Sequence, residues 1–208
     1  MPQLATVLAG LQRTMLECRH LADDARRWTV PSARPQISLA RRDSMIELAF
    51  LRGFLAWEGF LEESFILYML GKRPQTGRPP QRYVLPRNRE SAHDLAAEGR
   101  PYARWDATSV TSRAQRFFRD GRPYIQALQP SQNALADAKT IRNAIAHVSV
   151  AARNKFETLV RRELTVLPPR LTVGGFLNTT KSGVTPPVSF LEFYLDKLQF
   201  VAERIVAP

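Results

Sequence analysis

Residues 141–147, with the sequence IRNAIAH, carry side chains that suit chemistry on a phosphodiester. Cleavage of RNA without a metal ion needs a base for the ribose 2′-OH, an acid for the leaving 5′-oxygen and a cation beside the phosphate. Histidine ordinarily titrates near pH ~6.5 and can carry out either proton transfer. The planar fork of an arginine can stabilise the developing negative charge. Arg142 and His147 are therefore a candidate catalytic pair, and Asn143 lies between them.

The same run has the spacing of an amphipathic helix, which we predict over 131–149. Asn143 and His147 are four residues apart and share a face, whereas Arg142 reaches that face only through its long side chain. The alternative is that Arg142 is an ordinary surface residue and His147 an ordinary helix-end residue. The apolar residues recur at helical intervals and predict one core-facing stripe made of Ile141, Ile145 and Val148.

The strongest helical pattern covers 37–70, and further helices are predicted over 3–28, over 150–165 and at the C-terminal end. A stripe of large apolar residues runs along the 37–70 segment: Ile46, Phe50, Phe54, Trp57, Leu61 and Tyr68. Other apolar residues widen this surface: Leu48, Leu51, Leu55 and Phe65. The width predicts a helix that also faces a partner subunit. Two-fold dimerisation would bring together the two histidines that the two proton transfers require.

Composition favours one sizeable core and a cytoplasmic setting. The single Cys18 excludes a disulfide framework, and three histidines leave no Cys/His cluster for zinc, so we expect no cofactor. Cys18 follows Glu17 and precedes Arg19 and His20, which could activate its thiol; the alternative is an inert core residue. The apolar-rich segment 45–70 is interrupted by charged residues and should not span a membrane.

The formal net charge of +11 is concentrated in 72–123, which we interpret as a basic insertion within a single domain, 1–208. A basic field of this kind suits RNA, although high arginine content can also serve solubility alone. We predict a loop over 71–90, then two short helices, the second over 109–119. The candidate RNA-binding residues are Arg113, Arg116, Arg119 and, beyond the insertion, Arg153.

Aromatic residues lie among these arginines, and they can either stack on bases or anchor the segment in a core. They are Tyr83, Tyr102, Trp105, Phe117 and Phe118. An arginine-rich helix over 109–122 could also belong to a DNA-binding regulator, but no helix-turn-helix pattern supports it. Residues 170–187 are rich in glycine and proline, and they allow a short β-hairpin arm before the last helix.

The run IRNAIAH resembles the Arg-x4–6-His motif of HEPN domains, in which an asparagine commonly follows the arginine. The similarity extends to SVAARNKFETLVR after the motif, to LAWEGFLEESF before it and to the closing segment VSFLEFYLDKLQFVAERIV. Together these segments cover roughly residues 37–71 and 130–207.

The resemblance implies an all-α, HEPN-like helical bundle that forms a two-fold dimer with a composite ribonuclease cleft. It implies a metal-independent endoribonuclease, often a toxin or defence protein with an antitoxin or partner protein. Asn143 would bind phosphate or hold the motif geometry, and Glu58 would orient Arg142 or His147; otherwise Glu58 lies at the solvent edge. The alternative function is a non-catalytic dimer that binds RNA, a nucleotide or a partner protein.

Overall fold

The computed structural model describes residues 3–100 and 103–208, which form an all-α fold, as the sequence predicts. Within these residues β-pairing is confined to two isolated antiparallel bridges, Arg82 with Phe118 and Thr180 with Ser189. The α-helices are α1 (Leu4–Arg27), α2 (Leu39–Met69), α3 (Arg89–Ala97), α4 (Ala107–Phe117), α5 (Tyr124–Leu128), α6 (Gln132–Ala146), α7 (Val150–Leu164), α8 (Val173–Asn178) and α9 (Phe190–Val206).

The helices pack into two compact units. Among the described residues, unit 1 comprises 3–13, 55–100, 103–135 and 198–208. Unit 2 comprises 14–54 and 136–197. Helices α1, α2, α6 and α9 each contribute a segment to both units. Whether the chain acts as a single domain stays a prediction.

Helix α2 has the buried stripe that its sequence predicts, since all six stripe residues from Ile46 to Tyr68 are buried. The predicted widening of that surface is only partly buried: Phe65 is buried, whereas Leu48 and Leu55 are more than half exposed. Two apolar side chains of this predicted surface therefore remain available to a partner.

Gly53 of α2 permits a close helix approach in unit 2. A Cβ at this position would lie 2.7 Å from Cδ2 of Leu195 in α9 and 3.4 Å from Sδ of Met15 in α1. A side chain at Gly53 would therefore push the helices apart. Gly59 meets no such neighbour.

Unit 1 has an aromatic core. The ring of Phe65 lies 5.0 Å from that of Phe118, 5.2 Å from Tyr124 and 5.7 Å from Trp105, as centroid distances. Edge-to-face and tilted arrangements at these distances are the favourable ones for aromatic rings. The basic segment 72–123 thus contributes core side chains to this unit.

Unit 2 holds α8 against α2 through polar contacts and a glycine. The Thr172 hydroxyl donates to Oδ2 of Asp43 at 2.6 Å. Oγ1 of Thr172 also caps α8, because it accepts a hydrogen bond from the Gly175 N–H at 2.9 Å. The Gly174 N–H donates to Oε1 of Glu47 at 2.8 Å. A Cβ on Gly174 would lie 2.1 Å from the Asp43 carbonyl oxygen, so only glycine fits there.

The prediction of a β-hairpin arm over 170–187 was wrong. Residues Val173–Asn178 form α8 instead, and one bridge between Thr180 and Ser189 follows it. The glycines that appeared to break a helix are the residues that let α8 approach α2, where the Thr172 cap and Glu47 satisfy its first N–H groups. In the described parts of the chain, no helix is long and apolar enough to cross a bilayer.

Candidate functional site at the corner between α6 and α7

His147 lies at the corner between α6 and α7. Its backbone N–H donates to the Asn143 carbonyl at 3.0 Å, which closes the last turn of α6. Two residues later, the Ser149 hydroxyl caps α7 by accepting from the Ala152 N–H at 3.2 Å. The corner leaves the His147 side chain exposed.

The predicted core stripe at this end of α6 is only partly correct. Ile141 is buried, but Ile145 is half-exposed and Val148 is fully exposed. The physical reason is that α6 ends at Ala146 rather than at the predicted 149, so Val148 lies in the corner and outside the helical stripe.

A cavity of about 460 Å³ opens at this corner within unit 2. His147 and Arg153 line it together with two carboxylates, Glu47 and Glu157. Nε of Arg153 donates to Oε1 of Glu157 at 2.9 Å, and the Arg153 side chain remains 78% exposed. A group that can transfer a proton and a fixed cation therefore line one cavity.

The N-terminal end of α7 presents a partial positive charge to this cavity, whose lining otherwise carries one arginine against two carboxylates. Ser149, Val150 and Arg153, which form the cap and first turn of α7, all line it. The first turn of a helix carries a partial positive charge and presents backbone N–H groups, so it favours an anion such as a phosphate. The cavity thus combines this helix end with Arg153.

The sequence did not single out the two carboxylates of the cavity. Glu157 could have been found, because it lies four residues after Arg153 on a predicted helix, and pairs at this spacing interact. Glu47 could not have been found, because its place depends on the approach of α8 to α2.

Arg142 lies on α6 outside the lining of this cavity. Its guanidinium carbon is 5.5 Å from the centroid of the buried Phe54 ring, a cation–π distance. Its Nη1 donates to Oδ1 of Asn143 at 2.9 Å. Asn143 therefore contacts Arg142 through its side chain, and its predicted role in holding the motif geometry or binding phosphate stays a prediction. The catalytic role of Arg142 stays a prediction.

Glu58 belongs to the part of α2 in unit 1, whereas Arg142 and His147 belong to unit 2. Its predicted role as an orienting acid also stays a prediction.

Two of the predicted RNA-binding arginines, Arg113 and Arg116, contact other residues of unit 1. Arg113 is 5% exposed, with its guanidinium carbon 4.6 Å from the Trp105 ring centroid and hydrogen bonds to the Arg104 carbonyl. Burial lowers the pKa of Arg113. Arg116 forms an ion pair with Glu98 at 2.6 Å. This burial removes Arg113 from the residues that we propose to contact RNA, and it leaves α4 without a fully exposed arginine face for a DNA groove.

Arg119 is exposed, and its Nη1 donates to Oε1 of Gln81 at 3.0 Å. Among the aromatic candidates, Trp105, Phe117 and Phe118 are buried core residues, whereas Tyr83 is 58% exposed. Tyr102 lies outside the described residues. The core interpretation of these aromatics therefore holds for the three that are buried.

Cys18 is fully buried, and burial raises the pKa of its thiol. This supports the inert alternative over the activated one. Among residues 3–100 and 103–208, no group of three or more His, Cys, Asp or Glu side chains could hold a metal ion.

No protein-family model matches this sequence, and neither the curated proteins nor the solved structures give a significant match. The HEPN resemblance accordingly stays a prediction, and the function proposed next depends on the residues at the α6–α7 corner.

Proposed function

We propose that the protein is a metal-independent endoribonuclease of the HEPN type that acts as a two-fold dimer. The observation that carries the proposal is that His147 and Arg153 line one cavity of about 460 Å³, at the end of the helix with the Arg-x4-His motif. Ligand cavities in proteins commonly measure about 300–1,000 Å³, so this one has room for a nucleotide.

His147 transfers protons in this proposal. It takes the proton of a ribose 2′-OH, whose oxygen attacks the adjacent phosphorus, and the bond from phosphorus to the 5′-oxygen breaks. A second proton donor, the His147 of the other copy, protonates that leaving oxygen. The products are a 2′,3′-cyclic phosphate and a 5′-OH, and no water or metal ion takes part in this step.

Positive charge around the phosphate lowers the barrier, because it stabilises the dianionic phosphorane more than the ground state. Arg153 and the first turn of α7 supply that charge at the cavity. Arg142, oriented by Asn143, is the second proposed cation. Glu157 holds the Arg153 fork in place through Nε.

Exposed apolar residues at the cavity support the dimer. Val148 and Val150 line the cavity and are 111% and 76% exposed. Apolar side chains left open beside polar ones commonly mark a protein interface. A second copy placed there would cover the valines and bring its own His147 to the cleft. The cytoplasmic location, the toxin or defence role and an antitoxin partner belong to this proposal as well.

The test is RNA cleavage in EDTA by the wild type, by His147→Ala and by His20→Ala. His20 is an exposed histidine of α1 outside the cavity, and it serves as the matched control. We expect His147→Ala to lower the rate by about a hundredfold or more, since it removes proton transfer, and His20→Ala to cleave like the wild type. Equal rates for all three proteins would refute the proposal.

A non-catalytic dimer that binds RNA, a nucleotide or a partner protein is the second candidate. The packing of Arg142 on Phe54 favours it, because an arginine held over a core ring has a structural role of its own. This candidate predicts RNA binding by the wild type in EDTA with no cleavage over hours.

A further inference from the structure

A second cavity, of about 430 Å³, lies in unit 1 between the loop 77–81 and the turn 119–123. Its charged lining residues are Arg78, Arg119 and Arg122, with Asp120 as the one acidic residue among them. The three arginines are exposed. Three positive side chains against one negative side chain make this cavity attractive to an anion, and Pro208, the last residue of the sequence, also lines it.

The cavity's walls are held in place before any ligand arrives. Nη1 of Arg119 donates to the Gln81 side chain at 3.0 Å, and the Arg119 backbone N–H donates to the Gln81 carbonyl at 2.9 Å. Both loops are thereby joined. Pro79, Pro80 and Pro123 also line the cavity, and proline fixes the backbone φ angle. A ligand in this cavity would therefore need little further ordering of these loops.

Other arginines of the basic segment have partners inside the protein. Arg82 donates to the Met69 carbonyl, Arg89 binds the Glu63 carboxylate, and Arg116 pairs with Glu98. Arg113 is buried. Part of the positive charge of the segment is thus used in internal contacts, whereas the arginines around this cavity are exposed.

The chemistry of the lining selects a class of ligand. Arginine forks bind phosphate oxygens in pairs, and a phosphate monoester offers three such oxygens with a charge of about −1.5 to −2 at neutral pH. The proline rings offer apolar faces for a sugar or a base. Gln81 and Gln126 offer amide groups that can hydrogen-bond to a base edge.

We propose that this unit 1 cavity binds the phosphate of a nucleotide through Arg78, Arg119 and Arg122. The nucleotide is either free or part of a polynucleotide. This proposal is independent of the ribonuclease proposal, because binding is measured without turnover and in the other unit.

Binding is measured with two probes on the full chain: adenosine monophosphate, by calorimetry, and a single-stranded 2′-O-methyl oligonucleotide, by fluorescence anisotropy. The oligonucleotide lacks the 2′-OH, so the proposed nuclease chemistry cannot cleave it. The cavity variant carries Arg78→Gln, Arg119→Gln and Arg122→Gln. The control variant carries Arg73→Gln, Arg87→Gln and Arg100→Gln, which are exposed residues of the same segment and outside the cavity.

The cavity variant should weaken binding at least tenfold, whereas the control variant should change it less than threefold. For the oligonucleotide, each phosphate contact contributes about 0.7 to the magnitude of the slope of log K against log salt. Loss of three contacts should therefore reduce that magnitude by about 2. An effect on adenosine monophosphate assigns the site to free nucleotides, and an effect on the oligonucleotide alone assigns it to polynucleotides. Equal weakening by both variants, or no binding of either probe by the wild type, would overturn the proposal.

A second variant separates loss of the ligand from loss of the loop contact. Arg78→Glu with Arg122→Glu leaves the hydrogen bond between Arg119 and Gln81 intact. Its thermal unfolding midpoint should equal that of the wild type while its binding falls at least tenfold. Wild-type affinity in this folded variant would also refute the proposal.

Discussion

Two of the cavities among the described residues, one in each unit, are lined by arginine, yet their other side chains suit different chemistry. The cavity in unit 2 combines His147 and Arg153 with two carboxylates. The cavity in unit 1 has three arginines and one aspartate. Arginine keeps its proton at every physiological pH, so the guanidinium groups of the unit 1 cavity suit phosphate binding. Imidazole, which is present in the unit 2 cavity, is the kind of side chain that transfers protons near pH 7. We therefore propose chemistry in unit 2 and binding in unit 1.

Among the arginine variants, loss of the Arg153 cation should have the largest effect on the rate of RNA cleavage. Arg153→Gln should lower the rate of RNA cleavage about a hundredfold, because it removes a cation from the developing phosphorane. Arg161→Gln changes an exposed arginine of the same helix outside the cavity and should have little effect. Neither change should alter nucleotide binding in unit 1. Cleavage rates measured in EDTA compare the two variants. Similar losses of rate for both would mean that the total positive charge of α7, and not the position of Arg153 in the cavity, determines the rate.

Burial distinguishes the arginines of unit 1 from one another. Arg113→Ala should reduce the free energy of unfolding by about 2–3 kcal/mol, because it removes a cation–π contact and charged hydrogen bonds from the core. Arg116→Gln should cost less than about 1 kcal/mol, because its ion pair with Glu98 is partly exposed. Urea unfolding compares the two variants. A larger loss for Arg116→Gln would contradict the assignment of Arg113 to the core.

Substitution of the exposed valines Val148 and Val150 tests whether a second copy of the chain packs on the unit 2 cavity. Val148→Asp with Val150→Asp should raise the dimer dissociation constant at least tenfold, since two charges would have to be buried in an apolar contact. Val166→Asp introduces one charge at an exposed valine outside the cavity and should leave the dimer unchanged. Sedimentation at micromolar concentration should give twice 23.6 kDa for the wild type. A monomeric wild type would contradict the composite cleft.

Helical periodicity made the elements predictable, because burial of one stripe repeats every turn along α2. The expected helices over 3–28, 37–70 and 150–165 accordingly match α1, α2 and α7 to within two residues. Ser149, a residue type favoured at helix N-caps, lies directly before Val150 and caps α7.

The rest depends on contacts between distant segments. Nothing local distinguishes Arg113, which packs on Trp105, from Arg119, which is exposed, although both lie in the same basic run. The place of Glu47 at the cavity depends on Gly174, which is more than a hundred residues away in the sequence. The Gly174 N–H donates to the Glu47 carboxylate where α8 packs against α2.

The chemical identity of the RNA ends distinguishes attack by the ribose 2′-OH, with His147 as the proton-transfer group, from other routes of cleavage. The wild type and His147→Ala are each incubated in EDTA with an RNA and with its 2′-O-methyl counterpart, and the products are examined by mass spectrometry. We expect 2′,3′-cyclic phosphate and 5′-OH ends from the wild type on RNA, none from the 2′-O-methyl strand and almost none from His147→Ala. Cyclic phosphate ends at the wild-type rate from His147→Ala, or 5′-phosphate ends from the wild type, would contradict this mechanism.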